Sequence, residues 1–469
     1  MSRSFIALLF AVSALAGCAT VPKLGAAPKP AEATTFATAR SFQAPAAEWP
    51  ADRWWAAYND AQLTALMDQA LAGSPTLAEA AARVRSAEGR ALEARGATLP
   101  SLSANANAAE AKQSYNNGIP ADFVPRGYND TGRASLDLSY DLDLWGKNRA
   151  ALKAATSEAD AARMDVAEAR LALTTGIAIA YADFARLNAE RDAAVAAVTN
   201  RQASADLVAR RVTGGAANSG EADQARAAAA QARQDLAALD EQIAVVRDQL
   251  AALAGAGPDR GLDLQRPAAA PASGFGLPAN LSADLLGRRP DLQAARLRAE
   301  AAAKRIDVAK AGFYPNINLA AFIGVQSLGL SKLTRSGSDI GQGGVAISLP
   351  IFEGGRLQGA YRGARGDYDA AVAAYDGTLV RALQEVADAA AGQRALTTRL
   401  AAARESLTAG ESAYRVARLR YEGGLTSYLT LLTAEDAVIA QRRLVAQLQA
   451  RALTLDASLV RALGGGFRA

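Results

Sequence analysis

The feature that most constrains this chain is that its body is written twice. Ser74-Pro75-Thr76-Leu77 through Leu99-Pro100-Ser101 aligns without gaps with Arg289-Pro290-Asp291-Leu292 through Tyr314-Pro315-Asn316. Leu144-Trp145-Gly146-Lys147-Asn148-Arg149 answers Ile351-Phe352-Glu353-Gly354-Gly355-Arg356. Arg211-Val212-Thr213-Gly214-Gly215 answers Arg420-Tyr421-Glu422-Gly423-Gly424. All three matches share an offset near ~210 residues, which chance similarity between alanine-rich helices does not produce. The chain therefore divides into a leader (1–17), an extended tether (18–50), a first copy (51–264) and a second copy (265–469).

Each copy predicts the same order of elements. A helix (75–97; 290–311) is stopped at Leu99-Pro100 or Tyr314-Pro315, because proline cannot continue it. Two strands follow, 101–112 with 132–145 and 316–328 with 343–352, joined by the loops 113–131 and 329–342. Leu136, Leu138, Tyr140, Leu142 and Leu144 alternate with Ser and Asp, the period of a strand with two different faces. Proline-free runs at 147–213 and 356–422 then predict helices of ~100 Å at 1.5 Å per residue. Leu173, Ile177, Ala180, Phe184, Leu187, Ala194, Val198, Ala205, Val208 and Val212 recur at coiled-coil spacing. Leu379, Leu383, Val386, Ala390, Leu400, Leu407 and Tyr414 do the same in the second copy. Isolated glycines at 176, 377 and 392 mark expected irregularities. Both runs end at Gly-Gly, and return helices are expected at 218–254 and 426–463.

Strands of this length fit a membrane span with lipid on one face and water on the other, or a soluble sandwich. Two hairpins cannot close a barrel, and an open edge cannot sit in lipid. A membrane reading therefore requires several chains to pool strands; three would give 12. The fold class is mainly α with a transmembrane β portion.

Composition removes other functions. The chain has no histidine and one cysteine, which excludes a Ser-His-Asp triad, a His metal site and a CxxC pair. A net charge of +4 over 469 residues is too dilute for nucleic acid. No phosphate-binding or dinucleotide fingerprint is present. No enzyme activity, cofactor or metal is expected. Roughly a quarter of the chain is alanine, the palette of closely packed helices.

The N-terminus is an address. Phe5 to Ala16 is apolar but too short to span a bilayer as a helix. It ends Leu15-Ala16-Gly17-Cys18, which resembles the bacterial lipobox and implies lipidation of Cys18; an ordinary cleaved signal is the alternative. Ala19, in place of aspartate, implies by analogy sorting to the outer membrane.

Together these features resemble the outer-membrane efflux factor family, the TolC- and OprM-like channels, and most closely the NodT-type lipoproteins. The marks are Trp54-Trp55 with Asp60 and Leu63–Leu66, Arg289-Pro290-Asp291-Leu292, Phe313-Tyr314-Pro315, Pro350 to Arg356, and Arg420 to Gly423 with Tyr428 to Leu432. The resemblance implies a homotrimer whose 12-stranded barrel continues as a helical barrel in the periplasm. It implies an exit duct docked on a periplasmic adaptor and an inner-membrane transporter of the resistance-nodulation-division type. Type I secretion and a tethered coiled-coil lipoprotein are the rival readings. Gly424-Leu425-Thr426 resembles the adaptor-docking tip motif, with Gly423 and the weaker partner Gly214-Gly215 beside it; helix termination alone also accounts for these glycines. The family's pore constriction maps onto Leu429, with Thr433 where relatives often carry aspartate. Glu435, Asp436, Glu221 and Asp223 are the acidic residues nearby. Trp145 and Phe352, expected at strand ends, fit either an interfacial girdle or core packing.

Overall fold

The computed structural model describes residues 21–268, 276–279 and 281–468. The leader and Cys18 lie outside the described residues. The elements are α1 (Ala61–Gly73), α2 (Pro75–Gly96), β1 (Ser101–Ala111), β2 (Asn129–Asp141), α3 (Lys147–Thr213) and α4 (Ser219–Leu253). After a single turn at Asp259–Leu262 come α5 (Leu281–Arg288), α6 (Pro290–Ala311), β3 (Asn316–Leu328), β4 (Asp339–Ser348), α7 (Arg356–Glu422) and α8 (Tyr428–Ala462). The order helix, two strands, long helix, return helix thus occurs twice. The contacts group the chain differently, into two compact units that each draw on both copies.

One unit takes Val84–Ala162, Ala295–Tyr375 and the chain up to Pro30. Its centre is a four-stranded antiparallel sheet in the order β1-β2-β3-β4. The copies meet at the central pair, where Leu138 faces Ala321 and Leu136 faces Ile323. On one face Leu102, Leu136, Leu138, Ile323, Val345 and Ile347 are all exposed. On the other, Asn105 donates to Asp137 at 2.9 Å and Ser139 donates to Asn318 at 3.1 Å. Gly324 lets β2 come close: a Cβ there would lie 2.2 Å from the Ala134 carbonyl oxygen. β1 and β4 leave their outer edges unpaired among the described residues.

Two strands, β2 and β4, differ from expectation at their ends. β2 stops at Asp141, not 145, and β4 runs 339–348, not 343–352. Asp143 has φ 44° and its carboxylate accepts the Asn148 and Arg149 N–H groups at 2.9 and 3.0 Å. It therefore caps the start of α3 and ends the strand, although Leu142 and Leu144 keep the alternation. β4 starts early because Asp339 pairs with Val325, so the partner strand sets its length.

The second unit takes Ala31–Arg83, Arg163–Ala294 and Asp376–Ala469. Its core joins Trp54, Trp55 and Tyr58 to Leu63, Leu66 and Met67 of α1, Ile177, Tyr181, Phe184 and Leu187 of α3, Leu250 of α4 and Val460 of α8. Asp60 organises the entry to α1. It accepts from the Leu63 N–H as N-cap, and also from the Tyr181 hydroxyl and the Ala268 N–H, at 2.9, 2.9 and 3.0 Å. Arg289, of the Arg-Pro-Asp motif, is buried. It forks onto Asp291 and also holds Glu385 at 2.6 Å and the Ala462 carbonyl at 3.0 Å. The helices run unbroken through Gly176, Gly377 and Gly392, which corrects the expected irregularities. Gly392 instead makes room: a Cβ there would meet a Leu455 methyl at 2.6 Å. No helix is long and apolar enough to cross a membrane among the described residues.

The tether is held along α7 in both units. In the first, Arg365 donates to the Gly25 and Ala26 carbonyls at 2.9 and 2.6 Å, and Tyr368 to the Pro28 carbonyl at 3.0 Å. In the second, Asp376 accepts the Ala31 N–H at 2.8 Å and Arg394 donates to the Gln43 carbonyl at 2.9 Å.

Candidate functional site

The residues predicted for docking and for the constriction gather at the paired helical tips of the second unit. The two turns have one backbone. The Ala216 N–H bonds the Arg211 carbonyl and the Gly215 N–H the Val212 carbonyl. In parallel, the Leu425 N–H bonds the Arg420 carbonyl and the Gly424 N–H the Tyr421 carbonyl. Gly215 and Gly424 both have φ 72°. This is the Schellman closure, and its left-handed residue is why glycine stands second in each pair.

The tips pack on one another. Ala205 and Val208 of α3, Ala225 and Ala229 of α4, Tyr421 of α7 and Tyr428 and Leu431 of α8 form one buried cluster. Tyr421 and Tyr428 meet edge to face at 5.7 Å. Arg211 crosses from the first tip to the second. Its guanidinium donates to the Tyr421 carbonyl and lies 4.8 Å from the Tyr421 ring centroid. It also lies 3.5 Å from where a Cβ on Gly424 would sit. Arg201 makes a second crossing, bonded to Asp436 and 3.9 Å from Glu435.

The acidic residues have separate fates. Asp436 remains exposed with its charge matched by Arg201. Glu435, the neighbour of Asp436 in sequence, is only 3% exposed. Burial lifts its carboxyl to about 7; Arg201 opposes the rise and Asp436 adds to it. Glu435 Oε1, Arg201 Nε and the Tyr421 and Tyr428 hydroxyls are buried with no hydrogen-bond partner from the chain. Glu221 is half-buried, and its N–H bonds the N-cap side chain of Asn218 at 2.9 Å. Asp223 is exposed and paired with Arg226.

Leu425 and Leu429 stand out from the tip at 72% and 60% exposure. Thr433 is exposed and donates its hydroxyl to the Leu429 carbonyl at 2.8 Å. Trp145 and Phe352 lie beyond the strands. Trp145 is half exposed, stacks on Tyr314 at 4.8 Å and donates to the Pro315 carbonyl at 2.7 Å. Phe352 is 86% exposed. Arg201 was not singled out from sequence. Its signal was its place in the buried stripe between Val198 and Ala205, where a charged side chain needs a partner. No cluster suited to a metal ion occurs among the described residues.

Comparison with known proteins gives one answer. Residues 66–256 and 281–465 match the family described as outer membrane efflux protein, one segment in each copy. The chain is 31% identical to the multidrug resistance outer membrane protein MdtP of Shigella flexneri, covering 98% of this chain and 96% of that protein. It is 38% identical to the fusaric acid resistance protein FusA of Burkholderia cepacia over 66% of this chain; that match spans 59% of FusA, under two thirds of its length. Among solved structures, the outer membrane protein VceC of Vibrio cholerae superposes with a TM-score of 0.83 at 42% identity, covering 90% of this chain and all of VceC.

Proposed function

Because the chain belongs to the outer membrane efflux protein family, we propose that it is the outer membrane channel of a tripartite efflux pump, a passive exit duct with no catalytic step. The observation that carries this is the sheet. It exposes an apolar face and ends in two unpaired edges, which lipid does not tolerate. Three chains pooling their strands close a 12-stranded barrel. Cys18 carries the lipid after cleavage at residue 17. Residues 18–50 are the tether, and 51–264 and 265–469 are the two copies. Trp145 and Phe352 lie at the membrane interface. Names of relatives built on drug resistance support export of small molecules.

The tips meet the other components. Gly214, Gly215, Gly423, Gly424, Leu425 and Thr426 dock a periplasmic adaptor, which joins the channel to an inner-membrane transporter of the resistance-nodulation-division class. Bare glycine backbone allows close approach, and exposed Leu425 supplies an apolar contact. Leu429 narrows the pore, with Thr433 beside it. Asp436, Glu221 and Asp223 are the acidic residues of the constriction; Asp436 and Asp223 stand there paired with Arg201 and Arg226, and Glu221 has no arginine partner among the described residues. Glu435 acts from inside the tip by holding Arg201.

The reading predicts a heat-modifiable trimer extracted from outer membranes by detergent; a monomer released by salt would overturn it. Deleting the gene should raise drug susceptibility in a strain without a second such channel. Leu429→Ala and Asp436→Ala should each raise the closed-state conductance in planar bilayers. Unchanged conductance in both would place the constriction elsewhere.

A further inference from the structure

We propose that the Arg420 guanidinium docks on the Val212 carbonyl of a second copy of this chain, repeating between copies the crossing that Arg211 makes onto Tyr421 within one. The inference rests on the reading that copies close into a ring.

The first support is the duplication itself. Arg211 and Arg420 hold the same place in the two Arg-x-x-Gly-Gly turns, and Val212 and Tyr421 hold the next place. Arg211 has found its acceptor on the second tip. Arg420 is exposed, and its side chain has no partner among the described residues. The acceptor is available too. The Val212 carbonyl takes one hydrogen bond, from the Gly215 N–H at 3.0 Å, as the Tyr421 carbonyl does from the Gly424 N–H. A carbonyl oxygen has a second lone pair, which on Tyr421 is the one Arg211 uses.

The flanks give independent support. Ala194, Ala205 and Val208 on the α3 seam are buried, and Leu207 packs on the tip cluster. On α7 the seam residues Leu400, Leu407 and Tyr414 are only half-buried. Val416, the counterpart of Leu207, is 53% exposed, and Leu419 is 63% exposed. Tyr414 and Ala417 pack on the tip cluster within one chain, but Val416 and Leu419 beside them are left open. Another chain presenting its own first tip supplies the missing cover, and it brings the Val212 carbonyl next to Arg420. The seam between copies is the plainer one, since Val212, Ser219 and Gly410 stand where the intrachain seam has Tyr421, Tyr428 and Arg201.

The test is cross-linking in outer membranes with a short bis-maleimide. Full-length chain carrying Arg420→Cys with Val212→Cys should run mostly as dimer and trimer bands, and each single variant should stay at background. Arg211→Cys with Tyr421→Cys is the control, and should link within the monomer. Light scattering of the detergent-solubilised wild type reports the copy number separately. A trimer whose 420/212 pair stays at background overturns this contact and leaves the channel reading standing. A monomer overturns both.

Discussion

The two helical tips share a backbone and differ in what surrounds it. At Gly214-Gly215 the first tip sends Arg211 and Arg201 across to its neighbour, and Asn218 caps its return helix. At Gly423-Gly424 the second tip receives those contacts, while its own Arg420 is free of partners among the described residues. Its N-cap Ser427 makes no capping bond. Equal turns with unequal fastenings teach that backbone geometry was kept in both copies while side chains specialised. One copy became the clasp and the other the surface it closes on. Duplicated sequence thus gives a closed tip that is tied on one flank and open to a partner on the other.

Removing the clasp tests this most severely. Arg201→Ala cuts the tie between α3 and Asp436 and removes the cation beside the buried Glu435 carboxyl, a loss of about 1–3 kcal/mol. The closed-state conductance should rise at least ten-fold; an unchanged value would mean that Arg201 does not hold the tips together. A smaller effect tests the buried acid. Glu435 keeps its proton to about 7 in the fold, against an ordinary 4.5. Between those values the folded chain binds more protons than the unfolded one. Its contribution therefore favours the fold below about 4.5 and is lost as pH rises through 7. Tyr414, Tyr421, Tyr428, Asp436 and Arg201 surround it and are unchanged in Glu435→Gln. That variant should be more stable than wild type at pH 8, on the order of 2 kcal/mol, and no different at pH 4. Thermal unfolding followed by circular dichroism reads both; equal shifts at the two pH values would remove the proton from the account. The smallest effect compares the caps. Asn218→Ala should cost about 1 kcal/mol and Ser427→Ala a few tenths, read as amide exchange in the first turns of α4 and α8. Equal costs would show that the caps do not distinguish the tips.

Much of this fold was legible in the sequence because its punctuation is strong. Pro75, Pro100, Pro290 and Pro315 bound the shorter helices, and the Gly-Gly turns close the long ones, so α3 and α7 fall where expected. Strand ends were less legible. Alternation continued through Leu142 and Leu144, but Asp143 spends its carboxylate on the α3 N-terminus and turns the chain. At the site, the turn glycines and the exposed leucines could be read directly. The partner of Glu435 and Asp436 could not, because it comes from a helix more than 200 residues away. Arg201 meets Asp436 only once the copies are packed together. The tether read as a plain spacer, since nothing in its Pro- and Ala-rich composition announces that Arg365 and Arg394 will seize its carbonyls.

The unpaired margins of the sheet also carry a kinetic consequence. A lone chain entering a bilayer would strand the outward backbone groups of β1 and β4 in hydrocarbon, each at a cost of several kcal/mol. On the channel reading, insertion must then wait for encounter with other chains, or occur together with it. Yield in the membrane should therefore rise more steeply than in proportion to synthesis rate. A cell that makes this chain slowly would hold a standing pool of uninserted precursor.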